Sequence, residues 1–251
     1  MLGCGTSSGV PRIGGDWGAC DPDDPRNRRT RASIIIQSAA TTILVDTGPD
    51  MRAQLLAAGI GHIDAVIWTH EHADHCHGID DLRQIFHVHS RAIDGYARQD
   101  TLGLLKDRFA YVFTGRSGYP PTAAGHLLDD DMMIGDIRVR TVDQPHGDIV
   151  SAGLRFEHGG TSIGYATDFH KMTPKMERLY RGVDLWIVDA LRVRPHPTHP
   201  HLSEVLGWCA ELAPGRAVLT HMDQSMDYAV VAASLPDGIE PGFDGLEVRL
   251  A

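Results

Sequence analysis

Between Trp68 and Cys76 the sequence places His70, His72, Asp74 and His75, three histidines and an aspartate within six residues, directly after a short apolar run. Imidazole nitrogen and carboxylate oxygen are ligands for zinc and the neighbouring divalent metals. The alternate residues His70 and His72 can point at one ion while Asp74 and His75 serve a second, so the spacing predicts a two-metal centre. The helical zinc motif H-E-x-x-H does not fit, because Asp74 stands where its second histidine belongs. Four side chains do not saturate two ions, and further ligands are expected at the ends of later apolar runs. His146, Asp168 and His221 each occupy such a place. Taken singly, each reads equally well as a polar cap on a strand; beside the histidine run they read together as ligands.

Rigid elements must hold these residues. β-branched runs at 33–37 and 42–46 predict a hairpin that ends on Asp46. Met51, Leu55 and Leu56 recur at helical spacing within 49–58 before the stop signal Gly59, and 65–68 predicts a short buried strand that delivers Thr69 and His70 into a loop. A helix is expected from Gly78 to about His89. Residues 95–125 read as irregular, with Gly118, Tyr119, Pro120 and Pro121 marking a turn. That region is expected over the site as a lid, with Tyr119 available to stack on a base. Further strands are predicted at 137–142, 153–157, 162–167, 185–189 and 217–220, and helices at 174–180 and 203–212, an α/β pattern. Trp68, Phe86, Trp186 and Trp208 are expected in the core.

With 42% apolar residues, 251 residues are expected to form one domain, 1–251. A net charge of -10 argues against nucleic acid as a partner, since gripping its backbone needs clustered Lys and Arg. Arg26, Arg28, Arg29 and Arg31 lie beside Asp21, Asp23 and Asp24 and read as a solvated, ion-paired loop. Cys4, Cys20, Cys76 and Cys209 are scattered, which fits reduced thiols. No long apolar run or secretion signal is seen, so a cytoplasmic protein without membrane attachment is expected. A homodimer stays open.

The chain resembles the metallo-β-lactamase superfamily, whose motif H-x-H-x-D-H is matched by His70, His72, Asp74 and His75. Within it, the chain is similar to the branch of the phosphonate-pathway cyclic phosphodiesterase and, more distantly, to the tRNA 3′-processing ribonuclease Z. Segments 3–11, 44–48, 165–168, 219–221 and 243–247 extend the likeness over nearly the whole chain. It implies a four-layer αββα sandwich. It also implies that His70, His72 and His146 hold one divalent ion, that Asp74, His75 and His221 hold the other, and that Asp168 bridges them, with Asp46 and Asp189 behind the ligands. The ions implied are zinc or manganese.

The implied activity is a phosphodiesterase acting on a small cyclic phosphate or nucleotide phosphodiester, with a hydroxide shared by two ions attacking phosphorus. A thioesterase, a lactonase and a tRNA 3′-processing endonuclease are the alternatives. Asp74 and His201 are the expected catalytic groups. His201, just before a helix, occupies the place of the family's acid histidine, and His199 is its alternative. Ser7 and Ser8, in the glycine-rich opening, are expected to donate to phosphate, although a tight turn explains those glycines as well. The chain departs from the phosphonate enzyme in having only Cys20 in the loop that carries that enzyme's cysteines, and Gln224 in place of a histidine, so no structural zinc is expected. The basic, glycine-rich arm of typical ribonuclease Z enzymes is missing. Only Met1 and Leu2 precede the Gly3 loop, a shorter opening than the family's, which points to a truncated start.

Overall fold

The computed structural model describes residues 1–250. The alternation of side chains along its strands accounts for the layering. Strands β1 (Ile34–Gln37), β2 (Thr42–Val45), β3 (Ala65–Ile67), β4 (Ile93–Ala97) and β5 (Ala123–Leu127) form one sheet in that order. β1 and β2 are antiparallel and the remaining pairs parallel. In β2 and β3, Ile43, Val45, Ala65 and Ile67 enter one apolar cluster while Leu44 and Val66 enter another. A strand points successive side chains to opposite faces, so two buried faces demand a layer on each side. On one side lie α1 (Met51–Ala57), α2 (Ala73–Cys76), α3 (Leu82–His89), α4 (Gln99–Arg108) and α5 (Ala110–Thr114), and Met51, Leu55, Leu82, Ile85, Leu102, Leu105 and Val112 fill the space beneath them.

The other side is a second sheet. Its strands are β6 (Asp131–Ile134), β7 (Ile137–His146), β8 (Ile149–His158), β9 (Thr161–Ala166), β10 (Leu185–Asp189), β11 (Arg216–Thr220) and β12 (Ile239–Pro241), ordered β12-β11-β10-β9-β8-β7-β6. β6 to β9 run as an antiparallel meander, and β9 to β12 are parallel. Leu185 and Ile187 of β10 face the first sheet, whereas Trp186 and Val188 face α6 (Pro174–Tyr180), α7 (Leu202–Leu212) and α8 (Tyr228–Ser234). Three apolar clusters therefore separate four layers, helices outside and sheets within. No helix among the described residues is long and apolar enough to cross a membrane.

Three expectations need correction. Residues 95–125 are not irregular: they run through β4, α4, α5 and β5 and extend the first sheet. The pattern was hidden by Gly95, which is required there because a Cβ would come within 2.3 Å of the Trp68 ring. Phe86 and Trp208 are only partly buried, unlike Trp68 and Trp186. The arginine cluster is also not uniformly solvated. Arg26 pairs with Asp24 at 2.7 Å and Arg31 with Asp50 at 3.0 Å, yet Arg29 is fully buried.

Candidate metal centre

Every prospective ligand stands at the carboxyl end of a strand or just beyond it, where the two sheets open toward the same edge. β3 leads into His70 and His72, and the first turn of α2 presents Asp74 and His75. The run expected as a loop is thus partly helical. β7 ends on His146, Asp168 follows β9, and His221 follows β11. Clefts outside the carboxyl ends of parallel strands are the usual ligand sites of open α/β sheets.

The side chains converge in two adjoining sets. His70, His72, His146 and Asp168 each offer one ligand atom within 4.8 Å of the others, and so do Asp74, His75 and His221. Asp168 faces both sets. Its Oδ1 lies 3.5 Å from His146 Nε2 and 3.9 Å from His70 Nε2. Its Oδ2 lies 3.1 Å from His75 Nε2 and 3.5 Å from His221 Nε2. Asp74 Oδ2 lies 3.3 Å from His75 Nε2 and 3.6 Å from His221 Nε2.

These residues fit a pair of divalent cations. The Nε2 atoms of His70, His75 and His221 are buried and have no hydrogen-bond partner among the described residues, which is costly unless something else coordinates them. The electrostatics agree. Burial would raise the Asp168 carboxyl, but His221 and His75 hold it well below the usual carboxylate range. Burial would lower His221, but Asp168 and Asp189 push it up to about 9. His75 is likewise raised against its burial by Asp168, Asp74 and Asp46. Burial and the neighbouring His75 instead keep His70 well below its ordinary value. Asp168 held ionised against raised His75 and His221 marks a place where positive charge is favoured.

Two buried aspartates hold this arrangement from behind. Asp46 Oδ1 accepts from the Thr69 amide at 2.8 Å, and its Oδ2 accepts from the Thr69 hydroxyl at 2.8 Å and meets His75 Nδ1 at 2.7 Å. Asp189 Oδ2 accepts from the Asp168 amide at 3.1 Å and meets His199 Nδ1 at 2.7 Å. His146 Nδ1 is 3.1 Å from the Thr198 carbonyl. Asp46, Asp168 and His221 adopt φ of 65°, 53° and 57°, the left-handed region that non-glycine residues rarely enter. Such strain persists only where the surroundings impose it, and it collects at functional sites. Gly48 makes the site compact: a Cβ there would lie 2.4 Å from the Asp74 carbonyl oxygen.

A cavity of about 440 Å³ opens onto the site and is lined in part by Ser7, His72, Asp74, His146, Asp168, His199 and His221. Neither His201 nor Ser8 reaches it. His201 is the N-cap of α7, with Nδ1 2.6 Å from Glu204 Oε2 and its amide donating to the same oxygen at 3.2 Å. The Ser8 hydroxyl donates to the Gly9 carbonyl at 3.3 Å. No residue of 95–125 lines the cavity, so that region is not a lid on it. Residues that sequence reasoning passed over are Thr198, Asp148 and Ile149, which complete part of the wall.

With this geometry in view, residues 41–222 match the family described as a beta-lactamase superfamily domain. The chain belongs to this family. It has the metallo-β-lactamase fold and a histidine and aspartate cluster suited to metal. A crystal structure of a diphosphatase from the PhnP family is 34% identical with a TM-score of 0.89, covering 98% of this chain and 93% of that one. Zinc-bound PqqB from Methylobacterium extorquens shares the fold at 19% identity and a TM-score of 0.79, covering 99% and 98%. An octanoyltransferase of Porphyromonas gingivalis (strain ATCC BAA-308 / W83) is 33% identical over 98% of this chain and 50% of its own length. A ribonuclease Z of Bradyrhizobium sp. (strain ORS 278) is 28% identical over 53% of this chain and 46% of its own. The chain spans about half the length of these curated relatives.

Proposed function

We propose that this metallo-β-lactamase-fold protein is a binuclear phosphodiesterase that cleaves a small cyclic phosphate or a nucleotide phosphodiester. The observation that carries the reading is the Asp168 carboxylate, which turns one oxygen toward His70 and His146 and the other toward His75 and His221. His70, His72 and His146 would hold one zinc or manganese ion, and Asp74, His75 and His221 the other, with Asp168 between them. Bound there, divalent cations supply an acidified water as nucleophile and neutralise charge on phosphoryl oxygens.

The chain's own part is positioning and proton transfer. Asp46 and Asp189 fix the rings and backbone that face the substrate. His199 takes the acid role expected of His201. Nδ1 donates to Asp189, so to serve as the acid the ring would carry a second proton on Nε2 at the cavity wall, hand it to the departing alkoxide and be left as the neutral imidazole. Ser7 offers a hydroxyl to a phosphoryl oxygen from the same wall. The cavity has the size of small-molecule sites. The likeness to proteins named diphosphatase and ribonuclease Z supports cleavage at phosphorus. The octanoyltransferase name describes a protein of which this chain spans half, and all four cysteines here are buried away from use as acyl acceptors.

The test is hydrolysis of bis(p-nitrophenyl) phosphate beside a thioester and a lactone, with zinc or manganese present. The phosphodiester should be the preferred substrate by far; preference for the thioester or the lactone overturns the reading. His199→Ala should keep both ions and lose about 100-fold or more in turnover on an alkyl phosphodiester. Loss of an ion would instead make His199 a ligand, the role allowed by its place beside Asp168 and His221.

A further inference from the structure

The imidazole of His221 differs from those of the other buried prospective ligands, His70, His75 and His146, in how it is held. His75 is tied through Nδ1 to Asp46, His146 to the Thr198 carbonyl and His70 to the Thr69 hydroxyl. Among the described residues both ring nitrogens of His221 lack a hydrogen-bond partner, and Asp189 Oδ1 comes no closer than 4.0 Å to Nδ1. The reach of this ring must therefore come from its backbone, which sits in the left-handed region at φ 57° and opens directly into the loop running to Met226.

That loop is held by Arg29. The guanidinium donates to the Met226 carbonyl at 2.6 Å and the Asp223 carbonyl at 3.3 Å, to Asn27 Oδ1 at 3.2 Å and to Cys20 Sγ at 3.7 Å. Asn27 extends the clamp, accepting from the Tyr228 amide at 2.7 Å and donating to Asp227 Oδ2 at 2.7 Å. The Arg29 main chain exchanges hydrogen bonds of 2.9 and 2.8 Å with Val10, which closes the glycine-rich loop that carries Ser7. That loop in turn reaches the His221 side through Thr6 N to Met222 O at 3.2 Å and Met222 N to Cys4 O at 2.9 Å. None of the acceptors of the Arg29 side chain is a carboxylate. A buried cation without an ionised partner is a poor source of stability. What it offers is geometry: a planar fork that ties three chain segments together behind one ligand.

We propose that Arg29 is a positioning residue for the metal centre, setting the reach of His221 by clamping the loop that follows it against the glycine-rich loop. The inference rests on the binuclear reading given above.

The experiment is stepwise cobalt titration of metal-stripped full-length protein, followed by visible absorption, with His72→Ala identifying the step that belongs to the His70, His72 and His146 set. Arg29→Met keeps the apolar stem and removes every donor, and Arg29→Lys keeps the charge and loses the fork. Leu105→Ala, in the apolar cluster beneath α4, measures what plain destabilisation does. The Arg29 variants should weaken the His221 step by about 10- to 100-fold, Met more than Lys, and leave the other step unchanged. Leu105→Ala should show no such selectivity at an equal loss of melting temperature. Arg29→Lys answers the question even where Arg29→Met does not fold. Wild-type protein that takes up no cobalt overturns the binuclear reading and this inference with it. Two ions bound by the wild type, with both affinities intact or equally lowered in the Arg29 variants, overturn this inference alone.

Discussion

The two halves of the candidate metal centre are built on different principles. One half, His70, His72, Asp74 and His75, comes from a single strand-to-helix junction, and its spacing alone brings the ligands together. The other half, His146, Asp168 and His221, is collected from the ends of three strands that are far apart in sequence but lie in one sheet. Each half leans on one buried aspartate at a strand end, Asp46 in the first sheet and Asp189 in the second. Asp46 has both oxygens bonded, whereas Asp189 leaves Oδ1 without a partner. A locally encoded half can thus be rigid by itself, while a dispersed half depends on outside bracing. Asp168 is where the two meet, and its removal should have the largest effect. In Asp168→Ala both ligand sets lose a carboxylate oxygen, so metal content should fall below one ion per chain and phosphodiesterase activity should drop to background. Elemental analysis beside the rate assay checks this; full activity with two ions retained would separate the halves that this geometry joins.

The next contrast is Asp46→Asn against Asp189→Asn. Asparagine at 46 must place an amide where Thr69 and His75 both need an acceptor, so metal affinity should fall by about 10- to 100-fold. At 189 the substitution can turn its amide toward the unbonded Oδ1 position and keep an oxygen for the Asp168 amide. Its loss of affinity should be smaller, and the damage should appear in the turnover that relies on His199. Calorimetric metal titration of both variants tests the order. A reversed order would mean that the dispersed half is the stiffer one.

This division also explains what the sequence could tell. The histidine run was legible as a cluster because four prospective ligands in one junction need no knowledge of the fold, and His146, Asp168 and His221, which the fold brings beside it, were legible as polar residues ending apolar runs. The four layers followed from resemblance and are carried in the structure by strands such as β2 and β10 that bury both faces. Only resemblance put His201 ahead of His199, because both follow β10 within one proline-rich loop. What separates them is that Asp189 captures the first and Glu204 the second. Residues 95–125 were misread because Gly95 interrupts a strand to make room for Trp68, and Gly103 interrupts a helix. Arg29 sat among charges that suggested solvent, while its acceptors Asp223 and Met226 lie almost 200 residues away. Local composition carries no trace of such partners.

Metal removal sharpens the comparison further. In the stripped protein His221 has its folded pKa raised to about 9, above the roughly 6.5 of an unfolded histidine. Its contribution to stability is therefore fully present below about pH 6.5 and is lost as the pH rises through about 9. The melting temperature of stripped protein should fall across that window, whereas the stabilisation gained on adding zinc should grow, because the ligand nitrogen must be free of its proton to bind. Thermal denaturation at several pH values, with and without zinc, gives both curves. A stripped protein that becomes more stable from pH 6.5 to 9 would contradict the crowding of carboxylates around the dispersed half.

The smallest expected effect comes from the glycine-rich loop, which belongs to neither half yet supplies a wall of the cavity. Ser7 and Ser8 are adjacent and both exposed, but only Ser7 lines the cavity, and the Ser8 hydroxyl bonds back to Gly9. A single neutral hydrogen bond to substrate contributes about 1 kcal/mol, so Ser7→Ala should raise KM about fivefold with little change in kcat, since the same bond is present before and during the reaction. Ser8→Ala should leave both constants alone. Steady-state kinetics on one phosphodiester decides between them. An effect at Ser8 equal to that at Ser7 would mean that the loop acts through its shape, and the wall would then depend on how Arg29 and Val10 close it rather than on the hydroxyl it presents.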